Sequence, residues 1–158
     1  MQVTTHSTEE TARFGETCSR LFKPGDSVSL LGDLGTGKTV FVRGIMRGFN
    51  YKGAVTSPTY TLVHDYKANQ RVYHADCFRL RNRAQVLSAG LEEYFSDNSI
   101  LIVEWADLIA EYYDQWNWIL KFSYSEESEN SRIITFSRHE VSREETLKII
   151  IGDFNTET

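Results

Sequence analysis

The stretch Gly32-Asp33-Leu34-Gly35-Thr36-Gly37-Lys38-Thr39 decides the fold. It satisfies the pattern G-x-x-x-x-G-K-[ST] in full, and each required position has a physical reason. Glycines let consecutive backbone N–H groups curl around a phosphate, and the helix that follows turns its positive dipole end toward the same charge. Lys38 is placed to reach the β and γ phosphates of a nucleotide. The Thr39 hydroxyl offers a hard oxygen to Mg²⁺, which prefers an octahedron completed by water and phosphate. Asp33 has the wrong sign for a phosphate contact and is expected to face solvent or brace the loop.

The flanks supply the context the motif demands. Val28 to Leu31 is an apolar run that reads as a strand, and Phe41, Val42, Ile45, Met46 and Phe49 recur at helical spacing after the loop. Upstream, Ser7-Thr8-Glu9-Glu10 has capping-box spacing, and Phe14, Cys18, Leu21 and Phe22 follow on one face. The first element is therefore expected to be an amphipathic helix, ended by Pro24-Gly25-Asp26.

Downstream, Tyr60 to Tyr66 and Arg71 to Ala75 read as a hairpin with an exposed tip at Lys67 to Gln70. Ala84, Leu87, Leu91 and Phe95 fall on one helical face. The unbroken apolar run Ile100 to Val103 predicts a central strand buried on both faces. Trp118 to Tyr124 and Arg132 to Ser137 alternate as strands, with Trp116 read as core and Trp118 as edge. Ser142 to Glu145 opens a short closing helix ending near Ile151, with Leu147, Ile150 and Ile151 inward. The fold class that follows is α/β: a P-loop NTPase-like three-layer sandwich with a mixed parallel and antiparallel sheet and one β-hairpin insertion, in a single domain over residues 1–158.

Composition agrees and excludes other classes. With 158 residues, 41% apolar and 25% charged, the chain has the usage of an ordinary globular domain, large enough to need neither disulfide nor structural metal. Seventeen basic against 22 acidic side chains give a net charge of −5, which argues against DNA binding and against broad capture of nucleic-acid backbone. No run approaches the 18 or so apolar residues of a membrane span. Cys18 and Cys77 stand far apart with no second pair, and read as reduced thiols of a cytoplasmic protein.

Three further groups are candidates for chemistry. Glu104 ends the buried strand Ile100 to Val103, where a nucleotidase needs an acid to hold a metal-bound water. The turn Thr56-Ser57-Pro58-Thr59-Tyr60 lies where such proteins carry a γ-phosphate-sensing switch, which singles out Ser57 and Thr59. Asp76 closes the second hairpin strand and could orient water or magnesium. Arg79, Arg81 and Arg83 form a basic cluster that reads equally as a solvated face or a phosphate or partner contact. Trp105, beside the acidic strand end, suits either an interface anchor or packing under a loop.

The strings GDLGTGKT at Gly32 to Thr39, SPTYTLV at Ser57 to Val63, HADCFRL at His74 to Leu80 and IVEW at Ile102 to Trp105, in that order, resemble the TsaE (YjeE) family. That family is the small ATPase component of the bacterial machinery that makes threonylcarbamoyladenosine at position 37 of tRNAs. The resemblance implies ATP or ADP held by Leu34, Gly35, Thr36, Gly37, Lys38 and Thr39, and Mg²⁺ held by Thr39 and Glu104. It also implies roles in hydrolysis or switching for Asp76, Ser57 and Thr59, a place beside the site for Trp105, and nucleotide contacts near Thr8 and at Arg132. The implied partner is a TsaB–TsaD heterodimer, with tRNA met only through the complex. Phe78 stands where the family pattern has tyrosine, Arg83 to Leu87 replaces an acidic segment, and Thr36 replaces a more frequent alanine. The alternatives are a small P-loop kinase and a nucleotide-bound scaffold without turnover.

Overall fold

The computed structural model describes residues 1–58, 61–107, 114, 116–126 and 128–157, and for Arg83 and Glu157 the backbone alone. Among these residues seven strands form one sheet: β1 (Gln2–Thr5), β2 (Ser27–Leu31), β3 (Val63–Lys67), β4 (Arg71–Asp76), β5 (Ile100–Glu104), β6 (Trp118–Tyr124) and β7 (Arg132–Arg138). Their spatial order is β1-β7-β6-β2-β5-β4-β3. The middle four, β6, β2, β5 and β4, run parallel, while β1 on β7, β7 on β6 and β3 on β4 are antiparallel. The mixed sheet is thus as expected, and the hairpin β3–β4 joins it as an edge through β4.

Alternation along β5 shows why the sheet has two covered faces. Ile100 and Ile102 enter one core with Val28, Leu30, Trp118 and Leu120, and Leu101 and Val103 enter a second with Ala75, Val86, Leu91 and Trp116. Helices α1 (Thr8–Cys18), α2 (Lys38–Gly48) and α4 (Glu144–Glu157) cover the first face through Phe14, Phe41, Ile45, Leu147, Ile150 and Phe154. The short α3 (Arg83–Ser88) and a 3₁₀ turn at Leu91–Tyr94 cover the second. Three layers result, as predicted.

Helix α2 is seated on α1 by glycine. A Cβ on Gly44 would lie 1.9 Å from the Ala12 carbonyl oxygen, and one on Gly15 would lie 2.3 Å from that of Phe41. No side chain fits between the two backbones, so the middle of α1 is locked against the helix that carries Lys38 and Thr39. Below the sheet, at the N-terminal ends of the parallel strands, Asp26 is buried. It accepts from Lys23 N at 2.9 Å, from Trp118 Nε1 at 3.3 Å and from both Nη atoms of Arg143, which also donates to the Leu21 carbonyl.

Several expectations are corrected. The first element is the strand β1, whose pairing with β7 alternation in four residues could not announce. Trp118 is fully buried, because β6 lies inside the sheet between β2 and β7; Trp116 precedes that strand and is buried on the opposite face. The predicted helix through Ala84, Leu87, Leu91 and Phe95 is broken by Gly90 at φ 68°, leaving Leu87 exposed and Val86 inward. Strand β3 begins at Val63, after a turn in which Leu62 N bonds the Pro58 carbonyl; Tyr60 lies outside the described residues. The hairpin tip is exposed at Lys67 and Asn69 as expected, but it is also tied down by Asn69 N on the Phe49 carbonyl, with Ala68 against the core. The closing helix runs on to Glu157 and adds Phe154 to the core, whereas Ile151 is only half-buried.

Both cysteines are free and buried. Burial pushes the Cys18 thiol well up, and burial with the nearby Asp76 charge raises Cys77 to about 12. Among the described residues no helix is long and apolar enough to cross a membrane.

Two outcomes follow from this packing. Arg143→Leu leaves the Asp26 carboxylate buried without its cation, and costs about 3 kcal/mol, read as a lower urea midpoint at unchanged slope. Neither thiol is labelled by a disulfide reagent at pH 8 in the native protein, and both are labelled at once in urea, because the thiolate is the reactive species and burial suppresses it.

Candidate functional site

Parallel strands end on one side of the sheet, and the chain reverses direction around β2, with β5 on one flank and β6 on the other. Ligands of open α/β sheets bind in the crevice outside the carboxyl ends at such a point. Here the glycine loop leaves β2, Glu104 ends β5 and Asp76 ends β4. Register places Leu30 opposite Glu104 and Glu104 opposite Asp76, so loop and acids sit side by side.

The loop needs its glycines for two separate reasons. Gly32 passes so close to β6 that a Cβ would lie 2.2 Å from the Phe122 carbonyl oxygen. Gly37, at φ 99°, turns the chain into α2 and gives no side-chain cap, which leaves the first N–H groups of that helix for an anion. Thr36 is buried with its hydroxyl on the Asp33 carbonyl at 2.7 Å, so the threonine spends its polarity within the loop. Asp33 is exposed, as expected, and its carbonyl braces the loop.

Lys38 lies across the loop. Its Nζ donates to the carbonyls of Gly32 at 2.6 Å and Asp33 at 2.8 Å, and stands 4.1 Å from the ring centre of Trp105. Burial pulls its ammonium below the ordinary lysine value, against an opposing pull from Glu104, Asp76, Asp107 and Asp33. The four acids hold a positive charge in a place that burial disfavours. Trp105, at φ 57°, adopts a conformation uncommon for a bulky residue; its N–H bonds the Leu30 carbonyl and its ring packs on Phe78, 4.9 Å between centres. Phe78 is exposed, and its backbone N–H donates to Asp76 Oδ1 at 2.8 Å.

The Thr39 hydroxyl donates to the Glu104 carboxylate, at 2.8 Å from Oε1 and 3.1 Å from Oε2. Its lone pairs remain for a cation. The set of hydroxyl and carboxylate oxygens suits Mg²⁺, and no group of three or more His, Cys, Asp or Glu among the described residues could hold a metal by itself. A cation here therefore requires phosphate and water oxygens as well. Ser57 donates its hydroxyl to Asp76 Oδ2, so the hydroxyl-rich turn and the hairpin acid, separate candidates in the sequence, meet in the structure. Thr59 lies outside the described residues.

These groups line a cavity of about 330 Å³ bounded by Leu34, Lys38, Thr39, Ser57, Asp76, Glu104 and Trp105. A second cavity of about 390 Å³ opens on the other side of the loop, where Gly35, Gly37 and Val40 meet Thr8, His6, Asn130 and Arg132. Thr8 opens α1, capped by Ser7. Arg132 begins β7, stacks on Tyr124 at 4.4 Å and reaches the Gly35 carbonyl at 3.4 Å. Leu34 is largely exposed, with its carbonyl bonded by the Tyr124 hydroxyl at 2.8 Å. Arg79 and Arg81 are exposed and line neither cavity.

Sequence reasoning passed over His74, which is fully buried and places Nε2 2.8 Å from Glu104 Oε1. Its parity with Asp76 on β4 was the available signal: both side chains fall on one sheet face. Tyr124 and Asn130 were also missed, because only the β6–β7 hairpin carries them to the loop.

A family model described as "Threonylcarbamoyl adenosine biosynthesis protein TsaE" matches residues 5–134. A Bacillus subtilis protein named tRNA threonylcarbamoyladenosine biosynthesis protein TsaE is 36% identical over 130 residues, covering 82% of this chain and 80% of the relative. A Treponema pallidum protein of the same name is 34% identical over 110 residues, 70% of this chain and 82% of its own. Among solved structures, the crystal structure of Bacillus subtilis YdiB aligns with a TM-score of 0.70 at 30% identity, over 95% of this chain and 93% of that one. The glycine loop, the acids at the ends of its neighbouring strands and the span of these matches agree: the chain belongs to the TsaE family of threonylcarbamoyl adenosine biosynthesis proteins.

Proposed function

We propose that this protein binds ATP with Mg²⁺ and hydrolyses it slowly to ADP and phosphate, as a cytoplasmic accessory subunit for the threonylcarbamoyladenosine modification of tRNA. The observation that carries the reading is the meeting of Lys38, Thr39 and Glu104 at the carboxyl ends of parallel strands, beside a cavity on each side of the loop. The phosphates lie along Gly35 to Thr39, held by loop N–H groups and by the third proton of the Lys38 ammonium. The ribose and base occupy the cavity of Thr8, Asn130 and Arg132.

When bound, magnesium would be held by Thr39 and Glu104 and would neutralise charge on the phosphate oxygens. Lys38 stabilises the charge developing on the transferred group, in a site where nearby acids oppose the downward pull of burial on its ammonium. Asp76, braced by Ser57 and the Phe78 N–H, is the acid placed to orient the attacking water. Apart from Asp76 and Glu104 no carboxylate or imidazole lines that cavity among the described residues, which supports a slow intrinsic rate. Partners of the TsaB–TsaD type complete the cycle, and tRNA is met through them.

The test is magnesium-dependent phosphate release from ATP, alone and with the TsaB–TsaD pair. The expected result is low release that rises with the partners and is lost in Lys38→Ala. Bound ATP with no release under either condition overturns the hydrolytic reading in favour of a scaffold; release only on adding a phosphoryl acceptor favours a kinase. Asp76→Asn lowers release by about 10²-fold or more, while binding of a fluorescent ADP stays within a few-fold, because the side chain acts on water and not on the nucleotide. Arg132→Ala does the reverse, raising the dissociation constant for ADP about tenfold with little change in the rate at saturation.

A further inference from the structure

We propose that His74 is a positioning residue for the cation: by donating its Nε2 proton to Glu104 it holds that carboxylate against the Thr39 hydroxyl, and so sets how tightly a divalent ion is retained with the nucleotide. The inference rests on the reading that the cavity takes a metal nucleotide.

The geometry is a chain of three side chains. Oε1 of Glu104 accepts from His74 at 2.8 Å and from Thr39 at 2.8 Å, and the side chains of His74 and Glu104 are 0% and 4% exposed. The other ring nitrogen of His74, Nδ1, is buried and has no hydrogen-bond partner among the described residues. The proton therefore belongs on Nε2, where it meets an acceptor; on Nδ1 it would face none, and two lone pairs would oppose each other across the 2.8 Å contact.

An unpartnered buried nitrogen is a cost that leucine or phenylalanine would avoid at this position, which packs against Tyr66 at 6.1 Å between ring centres. What offsets that cost is the bond to Glu104. Strand pairing fixes its origin: His74 is in register with Ile102, two residues before Glu104, so the ring reaches diagonally across a rigid parallel ladder. Released from His74, the Glu104 side chain is free to turn toward Lys38, whose charge it already feels. The Thr39 hydroxyl then loses the acceptor that directs its proton away from the cation and its lone pairs toward it.

Four variants of the full chain test this: His74→Leu, His74→Gln, Glu104→Gln and the double variant His74→Leu with Glu104→Gln. The readouts are Mn²⁺ binding to the protein–ADP complex by electron paramagnetic resonance, and binding of a fluorescent ADP in excess chelator. His74→Leu is expected to weaken Mn²⁺ about tenfold while chelator-condition ADP binding stays within about twofold. His74→Gln, whose amide can donate to Glu104, recovers most of the loss, and the leucine change adds less than about twofold in the Glu104→Gln background. Should the leucine variant fail by near-ultraviolet circular dichroism, His74→Asn, polar but too short to reach, carries the same expectation. Unchanged Mn²⁺ affinity, an equal loss of metal-free ADP binding, or full additivity with Glu104→Gln overturns the inference alone. Wild-type protein that takes up no Mn²⁺ with ADP overturns the metal-nucleotide reading and this inference with it.

Discussion

The parallel pairing of β2 with β5 is the constraint on which the site depends. It sets Leu30 beside Glu104, ties the Trp105 N–H to the Leu30 carbonyl, and thereby brings the acid of one strand to the loop leaving the other. The Thr39–Glu104 hydrogen bond closes the circuit from the helix side. A slip of one residue in that ladder would reverse the faces of β5, turning Glu104 away from α2 and Ile102 out of its core. The completely buried run Ile100 to Val103 prevents it, because both faces are apolar and each already has its own partners.

Around this ladder the molecule divides its polar groups between two ends. At the amino ends of the strands Asp26 and Arg143 form a buried ion pair tied to Trp118 and to the chain before β2. At the carboxyl ends the charges are arranged differently: Lys38 has acids around it yet, among the described residues, is hydrogen-bonded to carbonyls alone. The first arrangement pairs its charges within the protein, although the buried Arg143 Nε has no hydrogen-bond partner among the described residues. The second keeps donors and acceptors for something else, and does so in a chain whose net charge of −5 would otherwise repel phosphate. Local geometry, with N–H groups and one lysine facing a cavity, outweighs the overall sign at short range.

Much of this was legible in advance for a definite reason. The glycine loop carries its own structural demands, since few sequences can turn at Gly37 and pass Phe122 at Gly32, and it specifies the strand before it and the helix after it. The four-residue apolar run before Glu104 likewise announced a central strand. Thr8 and Arg132, suggested only by resemblance, do meet across one cavity with Gly35. Where reading failed, the signal was ambiguous or nonlocal. Alternation around Trp118 is the same for an inner and an edge strand. The spacing of Ala84 to Phe95 was helical, yet one glycine at φ 68° was enough to end the helix.

The sequence by itself determined the phosphate-type loop, the strand and helix flanking it, and the candidate acids, because these depend on backbone sterics and on patterns within a dozen residues. Only the tertiary structure decided which groups act together. Asp76 meets Ser57, Glu104 meets Thr39 and His74, and Tyr124 meets Leu34 across 19, 65, 30 and 90 positions of chain. Contacts at such separations are set by strand order and register, which follow from how two apolar faces are covered at once, and no local pattern encodes that choice.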